Sequence, residues 1–331
     1  MSSFDSSRQL RVYVTSCQTF PGAWRNQEEL FRAAFPTADP RLQLCANPAA
    51  SDLIFITDLR TENFYEALRN HELVRRFPER TFCISEVDDP PRYVQGVMTS
   101  LTKSPLNCGR FCSGAHFFNH PDFRNPYIDR YAADHTAFTK KYLFSFLGRD
   151  CIPLRTKLLA VRFTRPDVLV KDTSSFNVFS HDKSRSKDED WRRFADVLRE
   201  SKFVLCPRGN GASSIRLFEA MQLGLAPVIL SDSWVLPEGP DWSQCAIRLA
   251  ESRISEIESV LAAREVEAES IGQAARQAFR DHFEGASYIR YLVAAAERIQ
   301  DARVFPERIM QKVEYLNLLA MRIRRRIRAR R

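Results

Sequence analysis

The stretch Ser201-Lys-Phe-Val-Leu-Cys-Pro-Arg-Gly-Asn-Gly-Ala-Ser-Ser-Ile-Arg-Leu-Phe-Glu-Ala-Met-Gln-Leu-Gly-Leu-Ala-Pro-Val-Ile-Leu-Ser-Asp232 decides how the chain folds. Phe203–Cys206 and Pro227–Leu230 are short apolar runs of the kind that form buried strands. Between them, Ser213–Leu223 has the character of a helix, with Ser213 or Ser214 placed to cap it and Gly224 to stop it. Gly209 and Gly211 are expected to let the backbone bend sharply and approach a ligand. A helix opening out of such a loop turns its first N–H groups toward the loop, where phosphate is favoured. Arg208 and Arg216 add forked cations that match phosphate oxygens. Glu219 lies one turn beyond Arg216 and is placed to accept from a sugar hydroxyl. The same spacing also suits a plain i, i+3 ion pair between the two.

Working outward, Leu10–Val14, Leu53–Thr57 and Thr81–Ser85 read as strands, separated by the helical stretches Gln27–Ala34 and Asn63–Val74. Asp122–Thr139 interrupts that rhythm with prolines and aromatics. A second alternation begins at the apolar run Tyr142–Leu147, which ends at Gly148. It continues through Leu154–Val161 (helix), Val168–Val170 (strand) and Asp188–Glu200 (amphipathic helix). After the central segment, Glu251–Phe283 and Ala286–Gln300 read as helices. Strand–helix alternation of this kind predicts parallel sheets covered by helices on both faces. The expected fold class is therefore α/β, with two facing doubly wound, Rossmann-like domains. The expected divisions are an N-terminal domain at 1–138, a C-terminal domain carrying the glycine loop at 139–300, and a helix with a basic tail at 301–331.

The central segment resembles the signature block of the exostosin-type glycosyltransferases. Its pieces stand in order: Ser201–Gly209 with its Pro-Arg-Gly, Ser214–Ala220 with Ser-x-Arg-x-x-Glu-Ala, Gly224–Asp232, Leu236-Pro237 and Asp241-Trp242. Tyr142–Arg149 followed by Arg155 is similar to the start of that family's second domain. Val204 and Leu225 depart from the usual residues, but no charged or glycine position is lost. The resemblance covers most of Tyr142–Leu249 and touches the first 138 residues only weakly.

The resemblance implies a GT-B type transferase that takes a UDP-sugar as donor substrate and needs no other cofactor. It implies a glycan or glycolipid acceptor, inversion at the anomeric carbon and no metal. By that analogy Arg208 and Arg216 neutralise the diphosphate as the leaving group develops charge, and Arg149 reaches it from the end of the preceding strand. Gly209, Gly211, Ser213 and Ser214 would then frame the loop, and Glu219 would orient the ribose or the donor sugar. Two alternatives stay open, a catalytically silent sugar-nucleotide-binding scaffold and a fucosyltransferase-like enzyme using another nucleotide. Asp188–Asp190 spells Asp-x-Asp, the pattern of metal-dependent transferases, but it opens an amphipathic helix, where acids are favourable without metal. Inversion requires a base to take the acceptor proton. The acids after the third strand, Glu86, Asp88 and Asp89, are the first candidates; Asp58, Glu62 and His116 are the others.

Composition fits this reading. The chain has 331 residues, 44% of them hydrophobic, enough to bury a core in two domains. No apolar run approaches the roughly 20 residues of a membrane span. Met1–Gln9 lacks the order of a secretory signal, and no Asn-x-Ser/Thr occurs. The eight scattered cysteines read as free thiols. These features predict a soluble cytoplasmic protein. The net charge is +8, and Met321–Arg331 alone holds seven arginines and no acid, so the body is nearly balanced and no nucleic-acid partner is expected. Val313, Leu316, Leu319 (or Ala320), Ile323 and Ile327 recur at helical spacing, with arginines around them. That pattern points to peripheral attachment to an anionic membrane at its inner face, or to a solvated helix end partly packed by Leu316 and Leu319.

Overall fold

The computed structural model describes residues 9–17, 26–57, 64–89, 92–104, 107–116, 124–134, 138–175 and 187–329, without the side chains of 26, 64 and 321–329. The chain divides into two compact units. Met1–Gly114 and Tyr288–Arg331 form unit 1; Ala115–Ser287 forms unit 2.

Unit 1 holds β1 (Leu10–Ser16), α1 (Asn26–Ala34), β2 (Leu42–Leu44), β3 (Leu53–Thr57), α2 (Phe64–Asn70), α3 (Glu72–Arg76), β4 (Thr81–Ser85), β5 (Gly96–Met98) and β6 (Phe111–Ser113). The strands form one parallel sheet in the order β2-β1-β3-β4-β5-β6. Every residue of β3 and β4 is buried, as continuous apolar runs in a sheet covered on both faces should be.

Unit 2 holds α4 (Pro126–Ala133), β7 (Tyr142–Gly148), α5 (Pro153–Ala160), β8 (Val168–Asp172), α6 (Lys187–Arg199), β9 (Ser201–Pro207), α7 (Ile215–Gln222), β10 (Ala226–Leu230), α8 (Trp242–Cys245), β11 (Ile247–Arg248), α9 (Ile257–Ala263) and α10 (Ala268–His282). Its sheet is also parallel, in the order β11-β10-β9-β7-β8. Phe144, Phe146, Phe203, Leu205, Val228 and Leu230 project from these strands into a core closed by Ile257, Leu261 and Ile271. Two parallel doubly wound units match the expected fold class. The long helix expected over 251–283 is broken, because Arg264 leaves helical geometry between α9 and the turn that precedes α10.

The divisions expected from sequence at 1–138, 139–300 and 301–331 are corrected. The chain returns to unit 1 at Tyr288, inside α11 (Ala286–Asp301), and continues there through α12 (Glu307–Ala329). Local periodicity cannot show which sheet a helix covers; the bonds do. The Tyr291 hydroxyl donates to the Ser113 carbonyl at the end of β6. Arg303 donates to Glu79 and Gln95. Glu307 accepts from Arg110 through Nε at 2.8 Å and Nη2 at 2.6 Å, with both side chains shut away from solvent.

Candidate functional site

In unit 2 the chain runs from β7 outward to β8 and returns on the other side of β7 with β9. Gly148 and Pro207, the carboxyl ends of β7 and β9, therefore flank a topological switch point, the place where open α/β sheets bind ligands. β9 passes directly into Arg208, the glycine loop and α7.

Arg216, in the first turn of α7, reaches the end of β7. Its Nη2 donates to the Leu147 carbonyl, and its guanidinium lies 4.6 Å from the centre of the Phe146 ring and 5.4 Å from that of Phe194. Residue 148 must be glycine for this. A Cβ there would stand 2.4 Å from Phe146 Cζ and 3.2 Å from Arg216 Nη2. Nε and Nη1 of Arg216 are buried without a hydrogen-bond partner, and no carboxylate pairs with the group among the described residues. Burial and then the charge of Arg155 lower its pKa to about 10. It is still a cation at neutral pH, held where an unpaired cation is costly. The i, i+3 pairing with Glu219 does not form.

Arg155, from α5, clasps the start of the loop. Its Nε donates to the Arg208 carbonyl at 2.9 Å and its Nη2 to the Pro207 carbonyl at 3.1 Å. A Cβ at Gly209 would lie 3.5 Å from that same Nη2, and Gly211 is buried in the loop. Neither glycine takes the left-handed backbone; Gly224 does, with φ 69°, where it ends α7 as expected. The backbone bends through residues 210–213 as expected, without a left-handed residue at either glycine.

Capping is corrected too. Ser214 occupies the N-cap position in extended geometry, but its side chain makes no capping bond; its carbonyl accepts from Leu217 N at 3.2 Å. The Ser213 hydroxyl is 2.7 Å from His116 Nε2 instead. α7 therefore opens without a side-chain cap over its first N–H groups. Arg208 is engaged by an acid absent from the expected site: its Nε and Nη2 donate to Glu251 at 2.8 and 3.3 Å. Arg149 stands exposed just past β7, near Asp172.

One turn along α7, Glu219 lines a cavity with His116, Arg124, Asp129, Phe218 and Gln222. Burial raises its pKa to about 7 against the pull of Arg216. Arg124 and Gln222 both donate to Asp129 Oδ1, at 2.6 and 2.7 Å. Arg124 and Asp129 carry no signal in the sequence, because α4 falls in the stretch whose aromatics and prolines break the strand–helix rhythm. His116, weighed there as a base, is placed beside the glycine loop of its own unit. Asp188 begins the first turn of α6 and accepts from the Tyr127 hydroxyl at 2.9 and 2.8 Å.

The acids of unit 1 separate. Glu86 is buried at the end of β4. Asp88 and Asp89 are exposed and line a pocket with Arg92, Met98, Ser100 and Thr102, beyond the carboxyl ends of β4 and β5. Asp58 and Glu62 lie outside the described residues.

Residues 66–263 match the Exostosin GT47 domain. An exostosin-1 homolog of Caenorhabditis elegans is 28% identical over 188 residues, which are 53% of this chain and 47% of that protein. Exostosin-1 of Drosophila melanogaster is 33% identical over 144 residues, 40% of this chain and 19% of that protein. The matches thus span about half or less of the length of these relatives. A solved glycosyltransferase of Rickettsia africae overlays with a TM-score of 0.40 at 10% identity, covering 88% of this chain and 99% of that one, a likeness too distant to argue from.

Proposed function

The chain belongs to the exostosin GT47 family, and from that premise we propose that it is a glycosyltransferase whose UDP-sugar donor binds at the switch point of unit 2. The observation that carries the reading is Arg216. It is a buried guanidinium with two unused nitrogens, beside a second arginine and an uncapped helix start. A diphosphate would supply the missing counter-charge and acceptors for those N–H groups. As the bond to the sugar breaks, charge accumulates on the terminal phosphate, and donors already fixed in place stabilise it without reorganising. Arg155 holds the loop in register, Arg149 adds charge from β7, and Arg208 comes into play only by sharing or leaving Glu251.

Glu219 accepts a ribose or sugar hydroxyl. Its burial makes it a poor anion alone and a good acceptor once a donor O–H arrives. The acceptor is a glycan or glycolipid. Of the acids expected from sequence to take its proton, Asp88 and Asp89 are the accessible ones. Such a reaction inverts the anomeric centre. With arginines and a helix start meeting the diphosphate, turnover needs no divalent ion. Thermal-shift titration tests the reading: UDP and a UDP-sugar should raise the melting temperature where GDP and CDP do not, and donor hydrolysis should persist in chelator. A shift with GDP alone, or hydrolysis lost in chelator and restored by manganese, would refute it.

A further inference from the structure

Six large hydrophobic side chains stand exposed among the described residues, and five of them fall within Val304–Leu316. Val304 is 71% exposed, Phe305 52%, Ile309 51%, Val313 41% and Leu316 63%. They do not face unit 1. α12 turns another stripe to that unit: Glu307, Met310, Gln311 and Glu314, at i, i+3, i+4 and i+7, are all buried. Glu307 is locked by Arg110, and Arg69 lies 4.9 Å from the centre of the Tyr315 ring. The helix is thus fixed lengthwise, with Ile309, Val313 and Leu316 along its outer side. The same spacing continues in sequence to Ile323 and Ile327, and α12 continues to Ala329. After Glu314 the chain contains no acid and seven arginines.

We propose that this face, from Val304 through α12, seats the protein on an anionic lipid surface. Apolar side chains on one side of a clamped helix, with arginines interleaved further along, suit the boundary between headgroups and acyl chains. No described helix is long and apolar enough to cross a membrane, so α12 lies in the surface. A second copy would bring the same excess of arginine and no anion for the seven arginines after Glu314. A nucleic acid would gain nothing from Phe305, Ile309 and Leu316. The proposal stands independently of the donor chemistry.

Co-sedimentation of the full chain with phosphatidylcholine vesicles, with and without phosphatidylserine, tests it. Binding is expected only with phosphatidylserine, falling as salt screens the attraction. The combined Phe305→Ser, Ile309→Ser and Leu316→Ser variant should bind at least about tenfold more weakly while melting as the parent does. Should that variant not fold, the Arg324→Gln, Arg325→Gln, Arg326→Gln variant, which leaves the buried stripe intact, should lose the preference for phosphatidylserine. Equal binding to neutral vesicles, binding untouched by either variant, RNA displacing the vesicles, or a vesicle-free dimer abolished by Ile309→Ser would each overturn it.

Discussion

Arg110 in unit 1 and Arg216 in unit 2 are the same side chain buried to opposite ends. Every nitrogen of the Arg110 guanidinium is engaged. Nε and Nη2 meet the two oxygens of Glu307, Nη1 donates to the Arg92 carbonyl at 3.0 Å, and Nη2 also reaches the Tyr93 carbonyl at 3.1 Å. Arg216 makes one hydrogen bond, to a carbonyl, and leaves two nitrogens unused against aromatic rings. A buried charge paired with a carboxylate and engaged at every nitrogen holds a fold in one arrangement. A buried charge left short of partners stays short only where something outside the chain completes it.

The largest effect is expected from breaking the Arg110–Glu307 pair. Arg110→Met strands Glu307 in the interior and should cost about 3–5 kcal/mol of stability by denaturant unfolding, most of it recovered when Glu307→Leu is added. A loss under about 1 kcal/mol would mean that the pair does not hold α12. Arg216→Met should do the reverse. Stability without ligand should hold or rise, because a costly unpaired cation is gone. UDP affinity by calorimetry should fall by about 1.5–3 kcal/mol, the range for hydrogen bonds to charged groups. If Arg216→Met unfolds the protein as Arg110→Met does, the contrast between the two arginines fails.

Glu219→Gln gives a smaller, pH-dependent effect. Its folded pKa of about 7 lies above the ordinary carboxyl value of 4.5. The folded state therefore binds a proton more readily than the unfolded one. That stabilising contribution is fully present below about pH 4.5 and is lost as pH rises through about 7. The glutamine variant should thus match the parent near pH 4.5 and exceed it at pH 8, by at most about 3 kcal/mol. Parallel melting curves for the two proteins across that range would show that Glu219 is not buried as described.

Much of this was legible in the chain. Buried parallel strands are short apolar runs, so β3, β4, β7, β9 and β10 are plain in the sequence, and the switch-point loop follows from glycines and arginines between two of them. β2, β5 and β6 have three residues each, too few for any period to show. Side-chain engagement was not legible, since partners lie far along the chain. Glu251 takes Arg208 from 43 residues away, and His116 takes the Ser213 hydroxyl from 97. The two arginines of the donor motif look equivalent in sequence and differ entirely in their surroundings.

Arg110 and Glu307 are separated by 197 residues, because all of unit 2 is spelled between them. On a ribosome adding roughly 5–20 residues per second, that separation is a wait of roughly 10–40 s. Unit 2 is continuous in sequence and can fold during that interval. Unit 1 has its sheet strands early but spends the interval with the Arg110 guanidinium lacking the carboxylate of Glu307. Its last step therefore waits for the synthesis of α12, and the nascent chain is most exposed to chaperones and proteases while the first unit has its strands but not that helix.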